Sequence, residues 1–172
     1  MREKGKQDAD SQIEPVWTLE IPAVVDGQVV PVEALSDQIF ALKMIGDGYG
    51  IHPTSEVVYA PCDGKIETMA STKHAVYLSL PEKIKLLIHI GLDTIDLKGE
   101  GFETELESGM SIQKGDPLVT FDAEMLKEKG YNPVIAVIVL DHVDKELALQ
   151  VFETEKAKAN ETTAMIVSKL NE

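Results

Sequence analysis

The chain has 172 residues, a length that suits one compact domain with a sizeable hydrophobic core. Acidic residues outnumber basic ones by 30 to 16, and a net charge of −14 argues against binding to nucleic acid or to anionic lipid. The single cysteine, Cys62, excludes an internal disulfide and a Cys-x-x-Cys zinc motif.

The chain begins with a polar segment. Residues 1–16 are predicted to form a flexible tail with no signal peptide and no membrane span, because they lack an apolar stretch. Residues 17–172 are predicted to form a single domain, and we expect the protein to be cytoplasmic, without membrane insertion. Its acidic charge favours partners with a basic surface.

Beyond the tail, apolar runs are short and are interrupted by turn-forming residues, such as Asp26-Gly27 and Asp63-Gly64. This pattern predicts an all-β domain, an antiparallel β-sandwich or barrel-like fold with one or two short helical turns. The glycine-rich segment 46–50 lacks the lysine of a phosphate-binding loop, and we predict a turn there.

Two later segments predict strands. Residues 84–90 alternate between polar and apolar, which indicates a half-buried strand. Residues 134–140 are apolar throughout, which indicates a strand buried on both faces. Helical turns are predicted over 123–129, with Asp122 as N-cap, and over 143–149, after Asp141.

Residues 72–90 predict a hairpin that brings two histidines together. With the turn centred between Pro81 and Glu82, Leu78 faces Lys85, Val76 faces Leu87, and His74 faces His89. Directly opposed residues have Cβ atoms about 5 Å apart, so two imidazoles could share one small anion. A slip of one residue would place the histidines on opposite faces of the sheet.

The histidine pair suits phosphoryl transfer. Each histidine alone could simply be a half-buried strand residue with satisfied ring nitrogens. Neutral imidazole, however, carries a nucleophilic nitrogen at physiological pH and can attack phosphorus without a separate base. The second imidazole could donate a hydrogen bond to the phosphoryl oxygens, where negative charge gathers.

Residues 87–94 (LIHIGLDT) and 97–102 (LKGEGF) closely resemble the signature of the glucose-family IIA components of the bacterial sugar phosphotransferase system. Matching segments occur in the same order at 21–32, 37–41, 46–48, 60–64, 72–75 and 112–116. The resemblance covers about residues 20–170 and implies an antiparallel β-sandwich.

This resemblance implies roles for three residues. His89 would be phosphorylated by the phosphocarrier protein HPr, and it would pass the phosphate to a cysteine of the IIB domain of a sugar permease. His74 would stabilise the phosphoryl group, and Thr72 would orient His74 through a hydrogen bond. No cofactor is expected and no metal is required, although His74 and His89 could bind zinc adventitiously.

The resemblance also implies a docking surface around the site. Asp37 and Asp93 would engage arginines of the partners. The apolar part of this surface would comprise Ile39, Phe40, Ile45 and Leu87. The sequence leaves further regulatory protein partners open.

Two other functions are compatible with parts of the sequence. Lys43-Met44 resembles the lysine-methionine turn of biotinyl and lipoyl carrier domains, in which a cofactor is attached to the lysine. A zinc peptidase could use His74 and His89 as ligands, but neither a third ligand nor a His-x-His pair is evident. The phosphocarrier remains the principal prediction.

Overall fold

A computed structural model describes residues 14–140 and 147–170, and this part of the chain is built mainly from β-strands. The strands are β1 (Pro15–Pro22), β2 (Gly27–Pro31), β3 (Gly46–Pro53), β4 (Val57–Tyr59), β5 (Gly64–Met69), β6 (Ala75–Ser79), β7 (Lys85–Ile90), β8 (Phe102–Glu103), β9 (Ser111–Ile112), β10 (Pro117–Phe121), β11 (Ile135–Leu140), β12 (Leu147–Val151), β13 (Thr154–Ala157) and β14 (Thr163–Leu170). Two short α-helices are α1 (Gln38–Ala41) and α2 (Ala123–Glu128), and 3-10 turns span Val32–Ala34, Pro81–Lys83 and Thr94–Leu97.

The strands form three antiparallel sheets. The largest has eight strands in the order β13-β2-β3-β11-β7-β6-β5-β9, and three-stranded sheets have the orders β1-β14-β12 and β4-β10-β8. The predicted antiparallel all-β fold is confirmed. Among the described residues, no helix is long and apolar enough to cross a membrane.

Strand β11 runs through the centre of the eight-stranded sheet, between β3 and β7, and it is buried on both faces as predicted. Alternate residues, including Ile135 and Val137, contribute to the main hydrophobic core. Ala136 and Ile138 face the other way, into a smaller cluster that contains Phe40. This smaller cluster forms the floor of the candidate site.

The hairpin of β6 and β7 forms, but its predicted register is wrong by one residue. Ala75 lies opposite His89, and Tyr77 lies opposite Leu87. The cause is the loop, which has three residues, Pro81–Lys83, and is closed by a hydrogen bond from the amide of Leu80 to the carbonyl of Ile84. An odd number of loop residues moves the centre of the turn onto Glu82, which adopts a φ of 61°.

This register sends Val76 to the main core, where it lies opposite Ile88 and not opposite Leu87 as predicted. His74 lies immediately before the first residue of β6 and directly after Lys73, which has a φ of 63°. Its carbonyl still accepts a hydrogen bond from Ile90 at 2.7 Å. Because His74 is outside the regular strand, its side chain is free of the strict alternation between faces, and it reaches His89 despite the shifted register.

The helical and turn predictions have mixed outcomes. The helix after Asp122 is confirmed, with the Asp122 carboxylate accepting from the amide of Met125. For the predicted turn over 143–149, residues 143–146 lie outside the described part, and Leu147 already belongs to β12, so that portion is wrong. The predicted turn over 46–50 is also wrong. The segment lies in β3, where a Cβ on Gly48 would be 1.9 Å from the carbonyl oxygen of Val137.

Candidate active site

His89 is held on β7 in one defined tautomer. Its ring lies 5.3 Å from that of Phe40, centroid to centroid, at an interplanar angle of 61°. Its Nδ1 is 2.8 Å from the carbonyl oxygen of Gly91. A carbonyl can only accept a hydrogen bond, so Nδ1 carries the proton, and in the neutral ring Nε2 keeps its lone pair. Nε2 is therefore the nucleophilic atom of this side chain.

His74 lies beside it. The two ring centroids are 4.9 Å apart, and the ring planes are inclined by 81°. Nδ1 of His74 is 2.6 Å from Oγ1 of Thr72, as the resemblance to the IIA components implies. Because Nδ1 of His74 is paired with Thr72, Nε2 is the ring nitrogen that remains available. This nitrogen could contact an anion shared with His89.

Both histidines have a lowered pKa. Burial is the main cause for His74, the proximity of His89 adds to it, and together they lower its pKa from 6.5 to about 4. Burial also lowers the pKa of His89, against opposing contributions from the Gly91 carbonyl and then from Asp37 and Asp93. Both rings are consequently neutral at physiological pH, which is the state needed for nucleophilic attack.

The two predicted aspartates lie close enough to act on the charge of His89. Asp37 caps α1, accepting from the amide of Ile39 at 2.8 Å. Asp93 is exposed and adopts a left-handed conformation with a φ of 62°. A cleft of about 390 Å³ next to them is lined by Ser36, Asp37, Leu92, Asp93, Asp96, Gly130, Tyr131 and Asn132. Asp96 was not singled out from the sequence.

The four apolar residues predicted to form the docking surface differ in their exposure to solvent. Ile39 is 49% exposed, and Ile45 is partly buried. Phe40 and Leu87 are almost fully buried in the cluster under the site, and the ring of Phe40 packs against that of His89. Three further apolar side chains are exposed on the segments that carry Asp37 and Asp93, although the sequence did not indicate them. They are Leu42, Met44 and Ile95.

The structure gives no support to the two alternative functions. Lys43 forms ion pairs with Glu33 at 3.0 Å and Asp47 at 3.6 Å, and it lies two residues after the end of α1. The hydrogen bond to Glu33 is the main cause of its raised pKa, and a tethered, protonated lysine is not a mobile arm. Across residues 14–140 and 147–170, no group of three His, Cys, Asp or Glu side chains is arranged to hold a metal ion.

Two neutral imidazoles side by side in an antiparallel β domain are chemically suited to a class of proteins that transfer small anionic groups. Comparisons with known proteins identify the family. A family described as "phosphoenolpyruvate-dependent sugar phosphotransferase system, EIIA 1" matches residues 19–145. The chain belongs to this family and is a phosphotransferase component, a carrier of phosphoryl groups in sugar transport.

Individual relatives agree with this assignment. A glucose-specific EIIA component from Halalkalibacterium halodurans is 41% identical over 167 residues, which are 95% of this chain and 92% of that protein. One from Staphylococcus epidermidis is 37% identical over 150 residues, 87% of this chain and 90% of that protein. The solved structure of glucose permease IIA from Mycoplasma capricolum matches with a TM-score of 0.79 and 31% identity, covering 87% of this chain and 96% of that one.

Proposed function

We propose that Nε2 of His89 accepts a phosphoryl group from phospho-HPr and passes it to a cysteine of the IIB domain of a sugar permease, in the cytoplasm. The observation that carries this proposal is the hydrogen bond from Nδ1 of His89 to the Gly91 carbonyl, which leaves Nε2 unprotonated. The family membership and the adjacent ring of His74 support it.

The reaction is a pair of exchanges at phosphorus. In the first, the lone pair of Nε2 forms a bond to phosphorus as the bond to the HPr histidine breaks. In the second, a IIB thiolate forms the new bond, and the electron pair of the breaking bond returns to Nε2. The position of His74 beside the ring suits it to donate a hydrogen bond to the phosphoryl oxygens in both steps.

Partner docking would use the rim of this site. Asp37 and Asp93 supply negative charge to attract arginines, and charge complementarity of this kind raises the rate of association. The exposed side chains of Ile39, Leu42 and Met44 supply apolar contact area on the same segment as Asp37. Phe40 and Leu87 would keep the floor of the site in place.

Reconstitution tests the proposal. The purified chain is incubated with phosphoenolpyruvate, enzyme I and HPr, and phosphate is located by peptide mapping under alkaline conditions. Wild-type protein should take one phosphate at His89, and His89→Ala should take none. His52→Ala is the matched control, because His52 is exposed on β3 and should leave labelling unchanged. Full labelling of His89→Ala would overturn the assignment.

A further inference from the structure

The tautomer of His89 depends on how the Gly91 carbonyl is aimed. Gly91 adopts a φ of 78°, and a Cβ placed there would lie 2.5 Å from Cγ2 of Thr94. Gly91 is the first residue after β7, and its positive φ is one that glycine adopts without strain. The hydrogen bonds of residues 90–92 fix the direction of the backbone at this point.

Two successive peptide units are each held at both ends. In the first unit, the carbonyl of Ile90 accepts from Oγ1 of the buried Thr94 at 2.6 Å, and the amide of Gly91 donates to Val134 at 2.9 Å. In the second unit, the carbonyl of Gly91 accepts from His89, and the amide of Leu92 donates to the carbonyl of Asn132 at 2.9 Å. A trans peptide is planar, so fixing the direction of the Leu92 N–H fixes the opposite direction of the Gly91 C=O.

Asn132 is the outer anchor of that second unit. Its side-chain Oδ1 accepts from the amide of Val134 at 3.0 Å, which closes a turn across Pro133. This turn sets the direction of the Asn132 carbonyl that receives the Leu92 amide. The backbone carbonyl of Asn132 thus joins the segment before β11 to the loop after β7, and the side chain of Asn132 braces that segment.

We propose that Asn132 is a positioning residue for phosphoryl transfer, which acts by aiming the Gly91 carbonyl at Nδ1 of His89 and so keeping Nε2 unprotonated. This role rests on the proposed function. It requires no contact between Asn132 and the phosphoryl group. Its effect is on the population of the reactive tautomer and on the orientation of the ring.

The test compares Asn132→Ala with Asn132→Ser in the full chain. Serine keeps an oxygen that can accept from the amide two residues on, whereas alanine does not. The protonated nitrogen of each imidazole is identified from long-range ¹H–¹⁵N spectra of ¹⁵N-labelled protein. In Asn132→Ala, the Nε2–H tautomer of His89 should become detectable. The rate of phosphate acceptance should fall roughly threefold to tenfold at saturating HPr. Asn132→Ser should restore the tautomer of His89 and the rate of phosphate acceptance towards their wild-type values.

Thr162→Ala is the matched control, because Oγ1 of Thr162 also accepts from a backbone amide, that of Lys158 at 2.9 Å, near β14. It should leave the tautomer of His89 and the rate of phosphate acceptance unchanged.

An Asn132→Ala protein in which His89 keeps the wild-type tautomer overturns the role of Asn132, whatever its rate of phosphate acceptance. The two possible failures are distinguishable. A wild-type protein that takes no phosphate overturns the proposed function and this role with it, whereas normal wild-type labelling with an unchanged tautomer in Asn132→Ala overturns this role alone.

Discussion

The hydroxyl of Thr72 lies 2.6 Å from Nδ1 of His74, and this pairing is compatible with either protonation state of the ring. A hydroxyl can donate to a bare Nδ1 or accept from a protonated one. In the neutral ring, donation from the hydroxyl to Nδ1 leaves the proton on Nε2, which can then donate it to an anion on His89. We therefore expect the hydroxyl of Thr72 to hold the imidazole of His74 in the tautomer that carries its proton on Nε2.

Removing that hydroxyl should slow transfer. Thr72→Val keeps a β-branched side chain of similar shape but has no group to pair with Nδ1. We expect onward transfer to a IIB domain to slow roughly tenfold, since a hydrogen-bonded orienting partner commonly has effects of that size. Thr72→Ser should transfer at a rate near that of wild type. Equal rates for Thr72→Val and wild type, measured with pre-labelled protein, would show that the hydroxyl has no orienting role.

The two histidines should be separable by substitution. His74→Gln keeps an amide donor but cannot hold or release a ring proton. Acceptance from HPr should survive, because attack by Nε2 of His89 needs no separate base. Onward transfer should fail, because the departing phosphoryl group loses its hydrogen-bonding partner. The phosphate label is followed from HPr to the variant and then to the IIB domain. Transfer to IIB at the wild-type rate would show that His74 has no role in phosphoryl transfer.

Docking should depend on charge at the rim. The double variant Asp37→Asn, Asp93→Asn removes two negative charges, and asparagine at position 37 preserves the helix cap. Transfer from HPr should slow, and the remaining rate should vary less with salt, because screening acts over about 8 Å at 0.15 M.

The matched control for charge is Glu153→Gln, Glu155→Gln, which removes two exposed charges at β13, four strands from β7. It should keep the wild-type dependence of the second-order rate constant on ionic strength. If both double variants show the same loss of transfer rate and of salt dependence, the effect comes from net charge. The docking role of Asp37 and Asp93 would then be wrong.

Acid should destabilise the protein through His74. Its pKa is about 4 in the folded state against 6.5 as the ordinary value, so between these pH values the unfolded chain binds a proton that the folded chain does not. The free energy of unfolding should therefore fall as pH drops through this window, by on the order of 2 kcal/mol from this residue.

The measurement is urea unfolding at pH 7 and at pH 4.5. His74→Gln should lose less stability than wild type between these values. His89, whose pKa is also lowered, should retain part of the dependence in that variant. An identical pH dependence in wild type and His74→Gln would contradict the burial of a neutral His74.

The sequence predicted the sheet architecture well because β-strands leave local signals. The apolar run that became β11 and the alternation that became β7 are both set by which faces are buried. The register of the β6–β7 hairpin was not predictable in the same way. It depends on whether the loop contains two or three residues, and on Glu82 and Lys83 both adopting positive φ, which their side chains do not signal.

The candidate site was predictable in its side chains and not in its backbone. His74 and His89 were found through their positions on one hairpin, and they meet although the register was wrong. Helix α1 has only four residues, too few for a periodic pattern, so the cap formed by Asp37 was missed. The contact between His89 and the Gly91 carbonyl, and the contact between the Leu92 amide and the Asn132 carbonyl, depend on backbone geometry, which the side chains in the sequence do not signal.

The most direct test of the account is the position of the phosphoryl group on the imidazole ring. Protein labelled with ¹⁵N in histidine is phosphorylated through HPr and examined by ¹H–¹⁵N and ³¹P spectroscopy at alkaline pH. We expect one phosphorylated residue, His89, with phosphorus bonded to Nε2, because Nδ1 is occupied by its hydrogen bond to Gly91. A phosphoryl group on Nδ1 of His89, or on His74, would contradict it.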